Sequence, residues 1–358
     1  MAKTIKAKKG QAKKSATKKS TLLGQRTAKK SRAKKSQARS ARRKRAPARS
    51  RRRAKGRVLG IVPALRRARA AAVAGQPAFP GFIYNGGPVV TSPVVYTSFW
   101  GALWSDADHQ AAAGRLNQYV QDLLNSDFMN VLSQYGAGAG NGSGSFAQAS
   151  FVPDAPNQLT DADIQNIIQS SINSGQIPEP PANNASEVLI IFLDENTEEN
   201  DPNLGVVLCE PSGDTAFGYH NNFTTAAGNP FSYAVVPALD DACLENSCGG
   251  SPGCTLQLSQ TQEQRRTQVA SHEFAEMLTD PIPPTGWYDS TDPNSGECGD
   301  ICNGESDTIT GTLTGNVWTV QRIYSSTDDT ASGGSNYCLS QAPSPEPLLP
   351  GGPGSSGG

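Results

Sequence analysis

Three histidines occur in 358 residues, His109, His220 and His272, and the last stands in a pattern suited to chemistry. It lies in Val269-Ala270-Ser271-His272-Glu273-Phe274-Ala275-Glu276-Met277-Leu278. Residues four apart share one face of a helix, so His272 and Glu276 can grip one divalent cation. Glu273 then sits beside the ion, as the base does in His-Glu-x-x-His metallohydrolases. A carboxylate in place of the second imidazole admits harder ions as well as zinc, and its charge weakens Lewis-acid activation of water. Taken alone, the spacing also fits a solvated polar helix face. Downstream, Asp292, Glu297 and Asp300 fall in a Gly/Pro/Ser loop that can fold back, so that Glu297 or Asp300 completes the ligand set. Zinc is the first choice of metal and calcium the second, although the loop does not follow the twelve-residue EF-hand pattern. His220, between Tyr219 and Asn221, is an outside candidate ligand that reads more readily as a loop hydrogen-bonding group. His109 reads as an exposed helix residue.

The elements that must position these residues follow from periodicity and turn chemistry. A helix over about 261–278 carries the His272 pattern and ends at Asp280-Pro281, because the residue before proline disfavours helix. Val94–Trp100, Phe146–Val152, Val188–Leu193, 205–209, Ser232–Pro237 and Val317–Tyr324 read as strands. Helices are expected from Asp106 or Asp108 towards Leu124, across Phe128–Tyr135, and after Thr160, where Ile164, Ile167, Ile168 and Ile172 share a face. A long irregular loop is expected from the end of the His272 helix to about Thr314. The order implies an α/β or α+β domain built on a mixed sheet.

Within that frame Ser271-His272-Glu273-Phe274-Ala275-Glu276, Thr279-Asp280-Pro281, Gly286-Trp287-Tyr288-Asp289 and Gly296-Glu297-Cys298-Gly299-Asp300-Ile301-Cys302 resemble the signature region of the EXORDIUM-like (phosphate-induced) proteins and their microbial relatives. Weaker echoes at Phe99-Trp100-Gly101, Ser133-Gln134-Tyr135, Gly218-Tyr219-His220 and Tyr233–Pro237 extend the likeness over roughly 92–340. The resemblance implies a fold whose microbial members carry a zincin-like His-Glu helix, and whose plant members are extracellular and linked to growth. It attaches no settled activity. Cys298 stands where the family has an aliphatic residue, and the basic N-terminal region is not a family feature.

Charge divides the chain. Of 32 Lys and Arg, only Arg115, Arg265, Arg266 and Arg322 lie beyond Arg69, while all 32 Asp and Glu lie from Asp106 onward. Residues 1–69 therefore read as a disordered +28 arm, 70–91 as a Pro/Gly linker, 92–340 as an acidic globular domain and 341–358 as a disordered Pro/Gly/Ser tail. Lys and Arg at this density without aromatics suit a polyanion, nucleic acid or a cell-wall polymer, contacted through its backbone charges. The acidic body is unsuited to bind nucleic acid by itself. No stretch is long and apolar enough to read as a transmembrane span.

All seven cysteines lie between Cys209 and Cys338 without a Cys-x-x-Cys pair, which favours loop disulfides over a zinc ribbon. Disulfides and family point to an extracellular or cell-surface setting, whereas the arm and the lack of a clean signal-peptide pattern point to an intracellular, nucleic-acid-associated one. Two functions follow: a metal-dependent, peptidase-like hydrolase, or a non-catalytic surface or polyanion-binding protein that keeps the fold.

Overall fold

A computed structural model describes residues 61–65 and 76–353, apart from 139, 183–185, 202–205, 211–214, 250 and 293–295. The basic arm up to residue 60, with its expected disorder and polyanion contacts, lies outside the described residues.

Strands β1 (Ile61–Pro63) and β2 (Phe82–Tyr84) precede β3 (Val94–Trp100). Helix α1 (Ala107–Leu124) begins where the Asp106 side chain accepts the His109 N–H, and α2 (Phe128–Leu132) runs into a 3-10 turn over Ser133–Tyr135. Strands β4 (Ser145–Val152) and β5 (Gln158–Leu159) lead to α3 (Asp161–Asn173), whose Thr160 and Asp163 form a capping box. Then come β6 (Glu187–Leu193), β7 (Glu198–Asp201), β8 (Val206–Val207), β9 (Ala216–Thr224) and β10 (Pro230–Val236). Helices α4 (Asp241–Cys248) and α5 (Gln262–Thr279) follow. The chain finishes through β11 (Trp287–Asp289), α6 (Cys298–Ile301), β12 (Ser306–Thr310), β13 (Val317–Gln321), β14 (Ile323–Tyr324), α7 (Ser326–Ser332) and β15 (Cys338–Leu339).

The central sheet is mixed, in the order β1-β9-β10-β6-β3-β4. Strands β4, β3, β6 and β10 run parallel, and β9 and β1 close one edge antiparallel. Both faces of β3, β6 and β10 are buried, which explains why β6 reads as an unbroken apolar run, whereas β4 is an exposed edge. Val95, Phe99, Val188, Ile190 and Phe192 pack with the apolar residues of α1 and α5. The other face, with Tyr96, Leu189, Ile191, Tyr233 and Val235, is covered by Ile164, Ile168 and Ile172 of α3. The expected α/β character and mixed sheet are present.

Several boundaries differ from the sequence reading. The stretch after α5 is not one irregular loop: it carries β11, α6 and β12, each too short for its periodicity to show in the sequence. The expected linker contains β2, which pairs with β11 and buries Phe82 at 4% exposure against Tyr135, Trp287 and Tyr324. The end of the expected arm contributes β1 to the sheet edge. Beyond Leu339 the chain is pinned, because the N–H groups of Ala342, Glu346 and Leu349 donate to Asp127, Asn130 and Gln134 carbonyls. Those backbone bonds need no apolar pattern, so a Pro/Gly/Ser composition conceals them.

Six cysteines form the disulfides Cys209–Cys243, Cys248–Cys254 and Cys302–Cys338. Three such bonds are what an oxidising compartment permits. Cys298 is the unpaired seventh, buried in the core cluster beside Thr279. No helix among the described residues is long and apolar enough to cross a membrane.

Candidate metal centre

Helix α5 is set at its start by a capping box: the Thr261 hydroxyl accepts the Gln264 N–H, and the Gln264 side chain accepts the Thr261 N–H. Every residue from Arg265 to Thr279 is buried, so the helix has no solvated face. The reading of His272, Glu273 and Glu276 as an ordinary polar surface is thereby removed. All three side chains have 0% exposure.

Strand β9 supplies the second imidazole. His220 pairs in register with Ala234 of β10 and faces α5, buried at 0% exposure, rather than sitting in a loop. Its Nδ1 lies 3.1 Å from Glu273 Oε2 and 3.4 Å from Glu276 Oε2, and its Nε2 lies 3.4 Å from Glu297 Oε1. Close approach of strand and helix depends on Gly218, where a Cβ would stand 2.6 Å from Val269 and 3.2 Å from Glu273 Oε1.

Short helix α6 closes the other side. His272 Nε2 is 2.9 Å from Glu276 Oε1 and 3.9 Å from Asp300 Oδ1. The Asp300 N–H donates to Glu276 Oε1 at 3.0 Å. Gly299 makes this possible, since a Cβ there would stand 2.8 Å from Glu276 Oε1 and 2.9 Å from the His272 ring. The Cys302–Cys338 disulfide and the Gln321 amide, donating to the Gly299 carbonyl, hold α6 in place. The result is an alternating series of imidazoles and carboxylates, Asp300, His272, Glu276, His220 and Glu297, with Glu273 against His220.

Two sets of three converge closely enough to share an ion: His272, Glu276 and Asp300, and His220, Glu273 and Glu276. Of the two residues expected to complete the ligand set, Asp300 lies with His272 and Glu276, and Glu297 faces His220. The sequence reading passed over Asp280 as a helix terminator, yet it belongs to this neighbourhood. Its Oδ1 accepts the Thr285 and Gly286 N–H groups, while its Oδ2 is buried without a partner. His109 lies apart on α1, between Asp106 and Glu195 at 2.9 Å from each.

Electrostatics here are severe. Burial pushes Glu273 up to about 7 against the pull of His220 and His272, and burial with Glu276 pushes Glu297 up to about 8. Glu276 goes the other way, because the imidazoles of His272 and His220 outweigh its burial. His272 is raised to about 9 in spite of burial, chiefly by Glu276. Burial and the carboxylates Glu297 and Asp300 raise the Tyr288 phenol, which stays a proton donor.

The donor set fits a divalent cation. His220 Nε2, both nitrogens of His272, Glu273 Oε1, Glu276 Oε2 and both Glu297 oxygens are buried without a hydrogen bond. These groups meet one another as ion pairs, and buried ionic groups that keep atoms without hydrogen bonds are costly unless a further charge completes them. Mixed imidazole and carboxylate donors suit zinc, and the carboxylate excess suits harder ions as well. No family model matches the chain, and neither a curated protein nor a solved structure proves similar to it.

Proposed function

We propose that the chain is a metal-dependent hydrolase, peptidase-like in its use of a His-Glu-x-x-Glu helix, and a relative of the EXORDIUM-like proteins. The observation that carries the reading is the convergence of His272, Glu276 and Asp300 in a core where their neighbours lack hydrogen bonds. His272, Glu276 and Asp300 would hold the ion, and zinc bound there would polarise a carbonyl and lower the pKa of water. Glu273 acts as the base, its carboxylate adjacent to the ligand His272 on α5 and held by His220. His220 Nδ1, 3.1 Å from Glu273, fixes the direction of that carboxylate, and Glu297 backs the far side of the same ring. The basic residues before β1, within 1–60, attach the protein to a polyanion, each neutralised phosphate adding about −0.9 to the slope of log K against log salt.

One observation favours a second reading. His220, His272, Glu273, Glu276 and Glu297 all have 0% exposure, which suits a structural ion in a non-catalytic protein. Glu273→Gln separates the two when the full-length chain is assayed on fluorescein-labelled casein. The hydrolase reading expects the variant to keep its metal and lose cleavage by about 10²–10⁴-fold. Cleavage at the wild-type rate by Glu273→Gln refutes the base assignment, and a metal-loaded wild type that leaves casein intact favours the structural ion.

A further inference from the structure

The series of imidazoles and carboxylates around α5 is longer than one ion can complete. Four carboxylates, Glu273, Glu276, Glu297 and Asp300, meet two imidazoles, and one divalent ion bound by a neutral His272 balances two of those charges. Glu276 presents its oxygens to opposite sides. Its Oε1 lies 2.9 Å from His272 Nε2, and its Oε2 lies 3.4 Å from His220 Nδ1. An ion held by His272, Glu276 and Asp300 therefore leaves Glu276 Oε2 and Glu273 Oε1, both buried without a hydrogen bond, on the β9 side. With His220 these two glutamates form a second group whose donors lie within 4.8 Å of one another.

His220 is itself arranged as a ligand. A metal-bound imidazole commonly gives its other ring N–H to a carboxylate, which fixes the tautomer and the ring. Here Nδ1 faces Glu273 and Glu276, while Nε2, buried without a hydrogen bond, lies 3.4 Å from Glu297 Oε1. We propose that His220, Glu273 and Glu276 hold a second divalent cation, joined to the first through Glu276, and that this ion inhibits the hydrolase by occupying its base. The site rests on its own geometry, and its inhibitory effect rests on the hydrolase reading above. Once bound to metal, the Glu273 lone pair that would accept a proton from water is engaged. Two cations that share one carboxylate repel each other, so the second enters more weakly than the first. Zinc in excess then acts against zinc in the first site.

Metal-stripped full-length chain, dialysed to equilibrium against rising zinc with the bound metal counted by plasma mass spectrometry, tests the assignment. Cleavage of casein is followed over the same range. Two ions per chain are expected, the second about tenfold or more weaker, with cleavage rising on the first and falling on the second. His220→Phe should keep the first ion and lose the second. Glu297→Gln should leave the first ion unchanged, weaken the second about 10–100-fold, and move inhibition to correspondingly higher zinc. A single ion at zinc up to about 1 mM overturns the second site and leaves the hydrolase reading standing. A second ion held equally by wild type and by folded His220→Phe or Glu297→Gln lies elsewhere, and also overturns it. Should His220→Phe not fold, the wild-type count and Glu297→Gln decide. Two ions without loss of cleavage overturn the inhibitory role. Absence of cleavage at every zinc level refutes the hydrolase reading and the inhibition together, while the ion count still decides the site.

Discussion

Strand β9 shows how differently one protein treats buried carboxylates on the two faces of a sheet. Towards α3, Tyr219 and Asn221 join Tyr233 and Gln165 in donating to Asp161, at 2.5–3.1 Å, so that one carboxylate receives four donors. Towards α5, His220 meets Glu273, Glu276 and Glu297, whose oxygens are left largely without hydrogen bonds. The alternation of a strand delivers neighbouring residues to these two environments. A fully hydrogen-bonded carboxylate is a finished structural element. A group of carboxylates and imidazoles that cannot satisfy one another calls for a cation.

Several experiments break or sharpen this contrast. The largest effect is expected from Glu276→Ala, which removes the carboxylate between His272 and His220. It should destabilise the chain by about 3–5 kcal/mol in urea unfolding. The same variant should lose its response to EDTA, whereas wild type should show a lower Tm when chelated. Asp161→Ala leaves two phenols and the Asn221 amide without their acceptor, the Gln165 amide keeping only the Tyr233 hydroxyl, and should cost about 1–3 kcal/mol, with the EDTA response intact. If chelation affects neither wild type nor Asp161→Ala, the contrast between the faces is wrong.

Glu199 supplies a test with a distinct sign. Its folded pKa, about 9, lies above the ordinary glutamate value, so the folded state favours the protonated form. Stability should fall as pH rises from about 4.5 towards 9, and level off beyond. Glu199→Gln removes that slope and should gain about 1–2 kcal/mol over wild type near pH 9, measured by denaturant melts across pH. Smallest is His109, raised by Asp106 and Glu195 in spite of partial burial. Its contribution is full below about 6.5 and disappears as pH rises through the folded value. His109→Gln should flatten that dependence by less than about 1 kcal/mol.

How far these faces could be read from sequence depended on range. Thr261, Gln264, His272, Glu276 and Pro281 lie on or beside one helix, so the start, the end and the ligand spacing of α5 are local facts. His220 is 53 residues from Glu273, on a strand whose Gly218, Asn221 and Asn222 break the usual β-branched pattern, and this hid both the strand and its orientation. Asp280 resembled a helix stop because its other role is to accept the N–H groups of Thr285 and Gly286. Cys298 stood among loop cysteines that pair, yet it is buried as a free thiol hydrogen-bonded to the Thr279 hydroxyl. The acidity of the body was plain from composition, but which acids are satisfied required their neighbours.

Anomalous diffraction from crystals of the full-length chain grown with zinc tests the central claim most directly. The account predicts a zinc peak among His272, Glu276 and Asp300, about 2.0–2.2 Å from the ligating nitrogen and oxygens. Side chains closed on one another by hydrogen bonds, with no peak between α5, α6 and β9, would contradict it.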